Sequence, residues 1–150
     1  GAAIPWGVNK LFKACDLIIH AGDIGQQSTL DELELIAPVR AVLGNNDSHK
    51  HLLDSFGRVG DTASFKLGEI QVYLTHQPGH LSSMFKIDSL EPKEKALLIH
   101  GHTHVPKNEK HSSYTVLNPG AVYRPRGGFS PSVALVTIED DQLSVKIHQL

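Results

Sequence analysis

The chain has 150 residues, 40% apolar and 20% charged, with a formal net charge of -2. Residues 1–150 therefore read as a single globular domain with a real core, and the charge offers no electrostatic grip on nucleic acid. No stretch approaches the roughly 18 apolar residues of a membrane span, no secretory signal pattern opens the chain, and the single cysteine, Cys15, excludes an internal disulfide and fits a reducing cytoplasm.

In chain order, Val8, Leu11, Phe12 and Cys15 fall at helical spacing and predict a helix within Ile4 to Cys15, with Pro5 tolerated in its first turn and Trp6 packed. The short apolar run Asp16 to His20 reads as a buried strand. Ser28 is expected to cap a helix through Ala37, with Asp31 and Glu32 in its first turn, and Pro38 closes it before a strand from Val39 to Leu43. This helix-strand-helix-strand order is the grammar of a parallel sheet. Thr62 to Leu67 and Glu69 to Thr75 flank Gly68 and predict a β-hairpin. Leu81 to Leu90 reads as a helix ending before Pro92, and Ala96 to Ile99 as a strand. Ser112 to Leu117, Ser132 to Glu139 and Leu143 to His148 read as antiparallel strands, with a turn at Asp140-Asp141. Gly127-Gly128, between Pro125 and Pro131, marks a long loop. The expected fold is α/β, two sheets packed face to face with flanking helices.

Four polar signatures end four of the apolar runs: Gly22-Asp23, Gly44-Asn45-Asn46-Asp47, Thr75-His76 and Gly101-His102-Thr103-His104. If the strands are parallel neighbours, every signature lies at a carboxyl end, where open α/β sheets place their ligands. One carboxylate, one carboxamide oxygen and three imidazoles would then converge, and mixed nitrogen and oxygen donors suit zinc, manganese, iron, nickel or cobalt. Singly, Asp23 and Asn45 also read as turn formers and His76 as a core histidine. His102 and His104, alternating after a glycine, gain nothing in packing. Asp47 is expected to order the loop, and His20 and His100 to support the site from strand ends. His80 reads as a loop residue, and His49, His51, His111 and His148 as surface residues. Arg124 and Arg126 are candidate phosphate clamps, although a solvated loop explains them equally.

In this order, and with Asn118-Pro119-Gly120 following, the signatures resemble the calcineurin-like metallophosphoesterases, most of all the small, cap-less bacterial and archaeal phosphodiesterases. The resemblance runs from about Asp16 to Gly120. It implies a four-layer α/β/β/α sandwich of two mixed sheets and a pair of divalent ions, Mn²⁺ first, with Zn²⁺, Ni²⁺, Fe²⁺ and Co²⁺ as alternatives. Carried over residue by residue, Asp23 is the carboxylate touching both ions, Asn45, His76 and His102 complete the second, and His104 belongs to the first. His104 is expected to follow His102 at two residues because alternate residues of an extended chain point apart. Two such ions, roughly 3.5–4 Å apart, hold a phosphoryl oxygen and a hydroxide together.

Asn46 stands where larger members carry a histidine that assists the leaving group. It is the candidate catalytic residue, but asparagine donates a hydrogen bond and transfers no proton, so esters with good leaving groups are expected. Arg126 is the candidate substrate-binding residue. The family's leading Asp-x-His, which supplies two ligands of the first ion from the first strand, occurs nowhere in this chain. Either that strand precedes Gly1 in the native protein or it is lost, and a missing central strand leaves open backbone edges and an uncovered core. The expected function is a phosphodiesterase acting on small phosphoesters, with homo-oligomerisation open. The alternative is a catalytically silent protein-binding module of the same fold, as in some eukaryotic trafficking subunits. A repair nuclease of the same family would carry basic surface that this chain lacks.

Overall fold

A computed structural model describes residues 4–45, 47, 59–86, 90 and 94–150. Asn46, His49 and His51 lie outside the described residues. Helix α1 (Trp6–Phe12) leads into strand β1 (Ile18–His20), helix α2 (Gln27–Glu34) and strand β2 (Val39–Val42). β1 and β2 run parallel with Ile18 opposite Val39, and β3 (Val59–Gly60) continues the sheet parallel to β2. A second sheet comprises β4 (Thr62–Leu67), β5 (Ile70–Thr75), β6 (Lys95–Ile99), β7 (Lys107–Lys110) and β8 (Tyr114–Asn118), in the spatial order β4-β5-β6-β8-β7. β5, β6 and β8 are mutually parallel, and the antiparallel β4 and β7 close the two edges. The β4–β5 hairpin turns at Gly68, whose φ of 62° suits glycine. β9 (Ser132–Glu139) and β10 (Gln142–Gln149) form a separate antiparallel pair turning at Asp140-Asp141.

Side-chain alternation along the strands builds three apolar layers, one at each junction of a four-layer α/β/β/α sandwich. Ile18, Val39 and Ala41 face Leu30 and Leu33 of α2. The opposite faces of the same strands present Ile19 and Val42 to Val72, Leu74, Leu97 and Ile99 of the second sheet, with Ala134, Ile138, Val145 and Ile147 of the last hairpin packed alongside. The remaining faces of β5 and β6 present Tyr73, Ala96 and Leu98 to Leu81 of the single-turn helix α3 (Leu81–Met84) and to Phe85. Arg40 points into the seam between the sheets, where its guanidinium carbon stands 4.5 Å from the Phe65 ring.

β1 and β9 are the end strands of their sheets, and among the described residues no strand pairs with their outer edges. An apolar cavity of about 90 Å³ lies against both, lined among others by Phe12, Leu17, Ile19, Ile99, Ala134 and Val136.

Several boundaries differ from expectation. α1 ends at Phe12, leaving Cys15 half-buried beyond it, where burial first and the Asp16 charge second raise its thiol pKa. Trp6 does not pack: it is 75% exposed, with the Lys10 ammonium 5.4 Å from its ring. Ser28 is not the N-cap, because α2 already begins at Gln27 after an extended Gln26. The Ser28 hydroxyl donates to Gln26 Oε1 instead, and no acidic residue falls in the first turn. The helix expected over Leu81 to Leu90 stops at Met84, because Phe85 is extended and turns its ring onto Tyr73 and Tyr114. The Ser112 to Leu117 segment is a strand from Tyr114, but parallel to β6 and antiparallel only to β7. β7 itself, Lys-Asn-Glu-Lys and wholly exposed, carries no apolar pattern that could announce it.

Candidate metal centre

The loops leaving the carboxyl ends of β1, β2, β5 and β6 meet at one place. Asp23 follows β1, Asn45 follows β2, His76 directly follows β5, and His102 and His104 follow β6. The approach is closer than ordinary side chains allow. A Cβ on Gly22 would enter the His76 ring, and one on Gly44 would enter the carboxylate and backbone nitrogen of Asp23. Gly101 donates its N–H to the His76 carbonyl at 3.0 Å, joining two of the loops directly.

Backbone strain is concentrated here. Of six described non-glycine residues with positive φ, Asp23 (56°), His102 (67°), His104 (59°) and Arg124 (55°) belong to this spot, while Asp140 and Asp141 form the last turn. The alternation of His102 and His104 is therefore not that of an extended chain. Left-handed backbone on either side of Thr103 aims both rings.

Hydrogen bonding fixes which ring nitrogens face inward. His76 Nδ1 lies 2.7 Å from the Ala21 carbonyl, which can only accept, so Nδ1 carries the hydrogen and Nε2 of the neutral ring is an acceptor. In the same way His104 Nδ1 donates to the Arg124 carbonyl at 2.9 Å, leaving its Nε2 as an acceptor. His76 Nε2 then faces Asn45 Oδ1 at 2.8 Å and Asp23 Oδ2 at 3.6 Å, and His104 Nε2 faces the same Asp23 oxygen at 3.7 Å. His102 Nδ1 stands 3.3 Å from His76 Nε2, the two rings edge to face.

Among the described residues no three His, Cys, Asp or Glu side chains alone form a finished ion site, and the donors meet in pairs, with the Asn45 carboxamide among them. The pair distances nevertheless suit one. Donors about 2.1 Å from an ion at tetrahedral angles stand roughly 3.4 Å apart, and three of the four contacts lie between 3.3 and 3.7 Å. The chemistry of Asp23, Asn45, His76 and His102 fits a divalent ion, and His104 stands beside the same Asp23 oxygen.

Asp47 secures the floor. Its carboxylate accepts the backbone N–H groups of Ile24 (2.9 Å), Gly25 (2.8 Å) and Gly44 (2.9 Å), tying the Asp23 loop to the Asn45 loop. Asp47→Asn turns an N–H₂ group against one of these donors. Hydrogen bonds to a charged group are worth about 2 kcal/mol, so Tm should fall by roughly 4–8 °C in a circular-dichroism melt.

His20 Nδ1 accepts from Gly22 N–H at 3.2 Å, and His100 Nδ1 donates to the Gly101 carbonyl at 3.0 Å, which gives both the supporting place expected of them. Burial pushes the His20 imidazole below its ordinary pKa, against the pull of the Asp47 and Asp23 carboxylates and with a smaller push from His76. Burial does the same to His100, opposed by its Gly101 hydrogen bond and aided by Lys107 and His76. Below about pH 6.5 the unfolded chain takes up protons at these positions that the folded chain refuses. The metal-free protein should therefore lose stability as pH falls from 7.5 to 5.5 in urea titrations, and His100→Gln should flatten that slope.

Arg124 and Arg126 reach the site by backbone. The Arg124 carbonyl orients His104, and Arg126 N–H donates to the His104 carbonyl at 3.1 Å, while both side chains are exposed. His80 is exposed on its turn, and His111 is exposed, stacked on Tyr114 and bonded to Glu109, far in character from the buried cluster. His148 is half-buried in β10. Asn118 supports these loops, as expected of the Asn118-Pro119-Gly120 turn, whereas Ala21, Thr103 and Arg124 touch them in roles that were not anticipated. Ala21 and Arg124 act through carbonyls, which leave no trace in residue type.

A family model described as the calcineurin-like phosphoesterase superfamily domain matches residues 2–141. A probable metallophosphoesterase of Methanothermobacter thermautotrophicus is 35% identical over 149 residues, covering 96% of this chain and 81% of that protein. The phosphodiesterase YfcE of Escherichia coli K12 is 33% identical over 113 residues, covering 75% of this chain and 58% of that protein. In fold, the chain is similar to Vps29 of Entamoeba histolytica solved in complex with Zn²⁺, with a TM-score of 0.73 at 23% identity over 100% of this chain and 91% of that one.

Proposed function

The chain belongs to the calcineurin-like phosphoesterase superfamily, and from that premise we propose that it hydrolyses small phosphoesters, diesters before monoesters, at a pair of divalent transition ions. The family works with divalent ions, and Mn²⁺ is the one proposed here. The observation that carries the reading is the convergence of Asp23 Oδ2, Asn45 Oδ1, His76 Nε2 and His104 Nε2, with backbone carbonyls holding the Nδ1 hydrogens of His76 and His104 outside it. Bound there, divalent ions bring water's pKa toward neutrality and offset the charge of the phosphoryl group.

This chain's own residues then bind and orient. Asp23 supplies the one negative charge of the donor set, and the neutral imidazoles leave the centre cationic enough to attract a phosphoester. Ala21 and Arg124 keep the His76 and His104 tautomers fixed, so no ring has to turn as substrate arrives. We assign Arg126 to a phosphoryl oxygen, since its backbone is bonded to His104, and Asn46 to hydrogen bonding at the leaving oxygen. The YfcE relationship supports the diester preference, and the lone cysteine supports a reducing, cytoplasmic setting.

The rival reading is a silent protein-binding module, a possibility raised by fold alone. Asp23, His102 and His104 each sit in left-handed backbone that costs on the order of 1–3 kcal/mol, and a scaffold would gain nothing by holding that strain in place. The test uses the full-length protein, stripped by chelator, reloaded with Mn²⁺ and assayed on bis-p-nitrophenyl phosphate against p-nitrophenyl phosphate. Stoichiometric Mn²⁺ and faster diester turnover, lost with chelator, are expected. Absence of any bound transition ion overturns the reading, and bound ion without turnover favours the binding module.

A further inference from the structure

We propose that Thr103 and Asn118 form a buried clamp that positions His102 and His104, an inference resting on the reading of those histidines as ligands. Asn118, the last residue of β8, is fully buried, and a carboxamide there needs partners to offset the loss of water. Its Nδ2 donates to the Gly101 carbonyl at 3.2 Å and to Thr103 Oγ1 at 2.9 Å, and its Oδ1 accepts Gly120 N–H at 2.9 Å. Two of these bonds hold the loop that carries both histidines. Thr103 Oγ1 also accepts Val105 N–H at 3.3 Å, so one hydroxyl fixes the loop on both sides of His104.

The clamp answers a problem posed by the backbone. His102 and His104 flank Thr103 in left-handed conformations, each costing roughly 1–2 kcal/mol for a residue with a Cβ. Such a loop relaxes unless its surroundings hold it. With the Thr103 side chain bonded inward to Asn118, the neighbouring rings are left to face His76 and Asp23. The far side of the clamp is anchored as well. Ser132, buried at the start of β9, donates its hydroxyl to the Pro119 carbonyl at 2.8 Å, which keeps the Asn118-Pro119-Gly120 turn against the last hairpin. Thr103 and Asn118 are thus positioning residues and touch neither ion nor substrate.

The experiment compares Thr103→Val, which keeps the shape but deletes the acceptor, with Thr103→Ser, which keeps the hydroxyl. Two readouts are taken: Co²⁺ titration followed by its visible spectrum, and the imidazole ¹⁵N resonances of His102 and His104 in the metal-free protein. Thr103→Val should weaken Co²⁺ binding by roughly tenfold or more, as loss of a partner behind a ligand does. It should also shift the visible bands and move both ring signals, while Thr103→Ser restores wild-type behaviour. Thr103→Ala deletes the same acceptor and serves if valine prevents folding. Unchanged ring resonances in the variant overturn the clamp. If the wild-type protein takes up no Co²⁺, the ligand reading falls, and the ring resonances alone still decide the clamp.

Discussion

Asp23→Asn should abolish ion binding and turnover together while leaving the chain folded. Asp23 holds its side chain in left-handed backbone at φ 56°, a conformation that asparagine tolerates as well as aspartate does. The substitution therefore removes charge and little else. That charge is the only negative one in the donor set: Asn45 is an amide, and the Ala21 and Arg124 carbonyls hold the Nδ1 hydrogens of His76 and His104 on the side away from Asp23. Asp23 Oδ2 is also shared, 3.6 Å from His76 Nε2 and 3.7 Å from His104 Nε2. Loss of a partner behind a ligand costs about 10–100-fold in affinity, and loss of the shared carboxylate should exceed the upper end of that range. Calorimetric Mn²⁺ titration and diester hydrolysis report the two effects. An Asp23→Asn protein that binds Mn²⁺ within tenfold of wild type, roughly the lower end of that range, would contradict the assignment.

Gly22→Ala and Gly44→Ala should each be strongly destabilising, although each adds a single methyl group. At Gly22 the new Cβ would meet the His76 ring at a backbone φ of 104° that only glycine adopts freely. Left-handed strain of about 1–2 kcal/mol and overpacking of about 1–3 kcal/mol together give roughly 2–5 kcal/mol, or a Tm lowered by about 4–20 °C. At Gly44 the clash is with the carboxylate and the backbone nitrogen of Asp23, and because the backbone nitrogen cannot rotate aside, the loop itself must move. Gly25→Ala is the control. Gly25 also has positive φ, but open space surrounds its Cβ position, so only the strain remains and the thermal shift should be the smallest of the three.

The strands that carry the candidate ligands were legible because their apolar runs are uninterrupted and the signatures sit at their ends. β1, β2, β5 and β6 lie within a residue or two of the positions expected, as does the hairpin about Gly68. What stayed hidden depended on contacts that residue type does not encode. β7 is a strand because β8 offers an edge to Lys107–Lys110, not because those residues prefer one. The α3 helix stops early because Phe85 has two aromatic rings to pack against. At the site, identity and order pointed to Asp23, Asn45, His76, His102 and His104. Their aim depends on two carbonyls and on Thr103 meeting Asn118 across 15 residues. The positive φ of His102 and His104 could not be read from histidine, which adopts it only when neighbours insist.

Asp23 and Asn45 belong to loops of one sheet, and His76, His102 and His104 to loops of the other, with Val42, Leu97 and Ile99 filling the seam between. Anything that grips all five side chains is therefore a rivet through two independently hydrogen-bonded plates. By linkage, an occupant at a hundred times its dissociation constant adds about 2.7 kcal/mol against unfolding. A methyl group trimmed from the seam, remote from every donor atom, should lower the melting point of the empty and the filled protein alike, and should weaken apparent binding only where the empty protein is already partly unfolded.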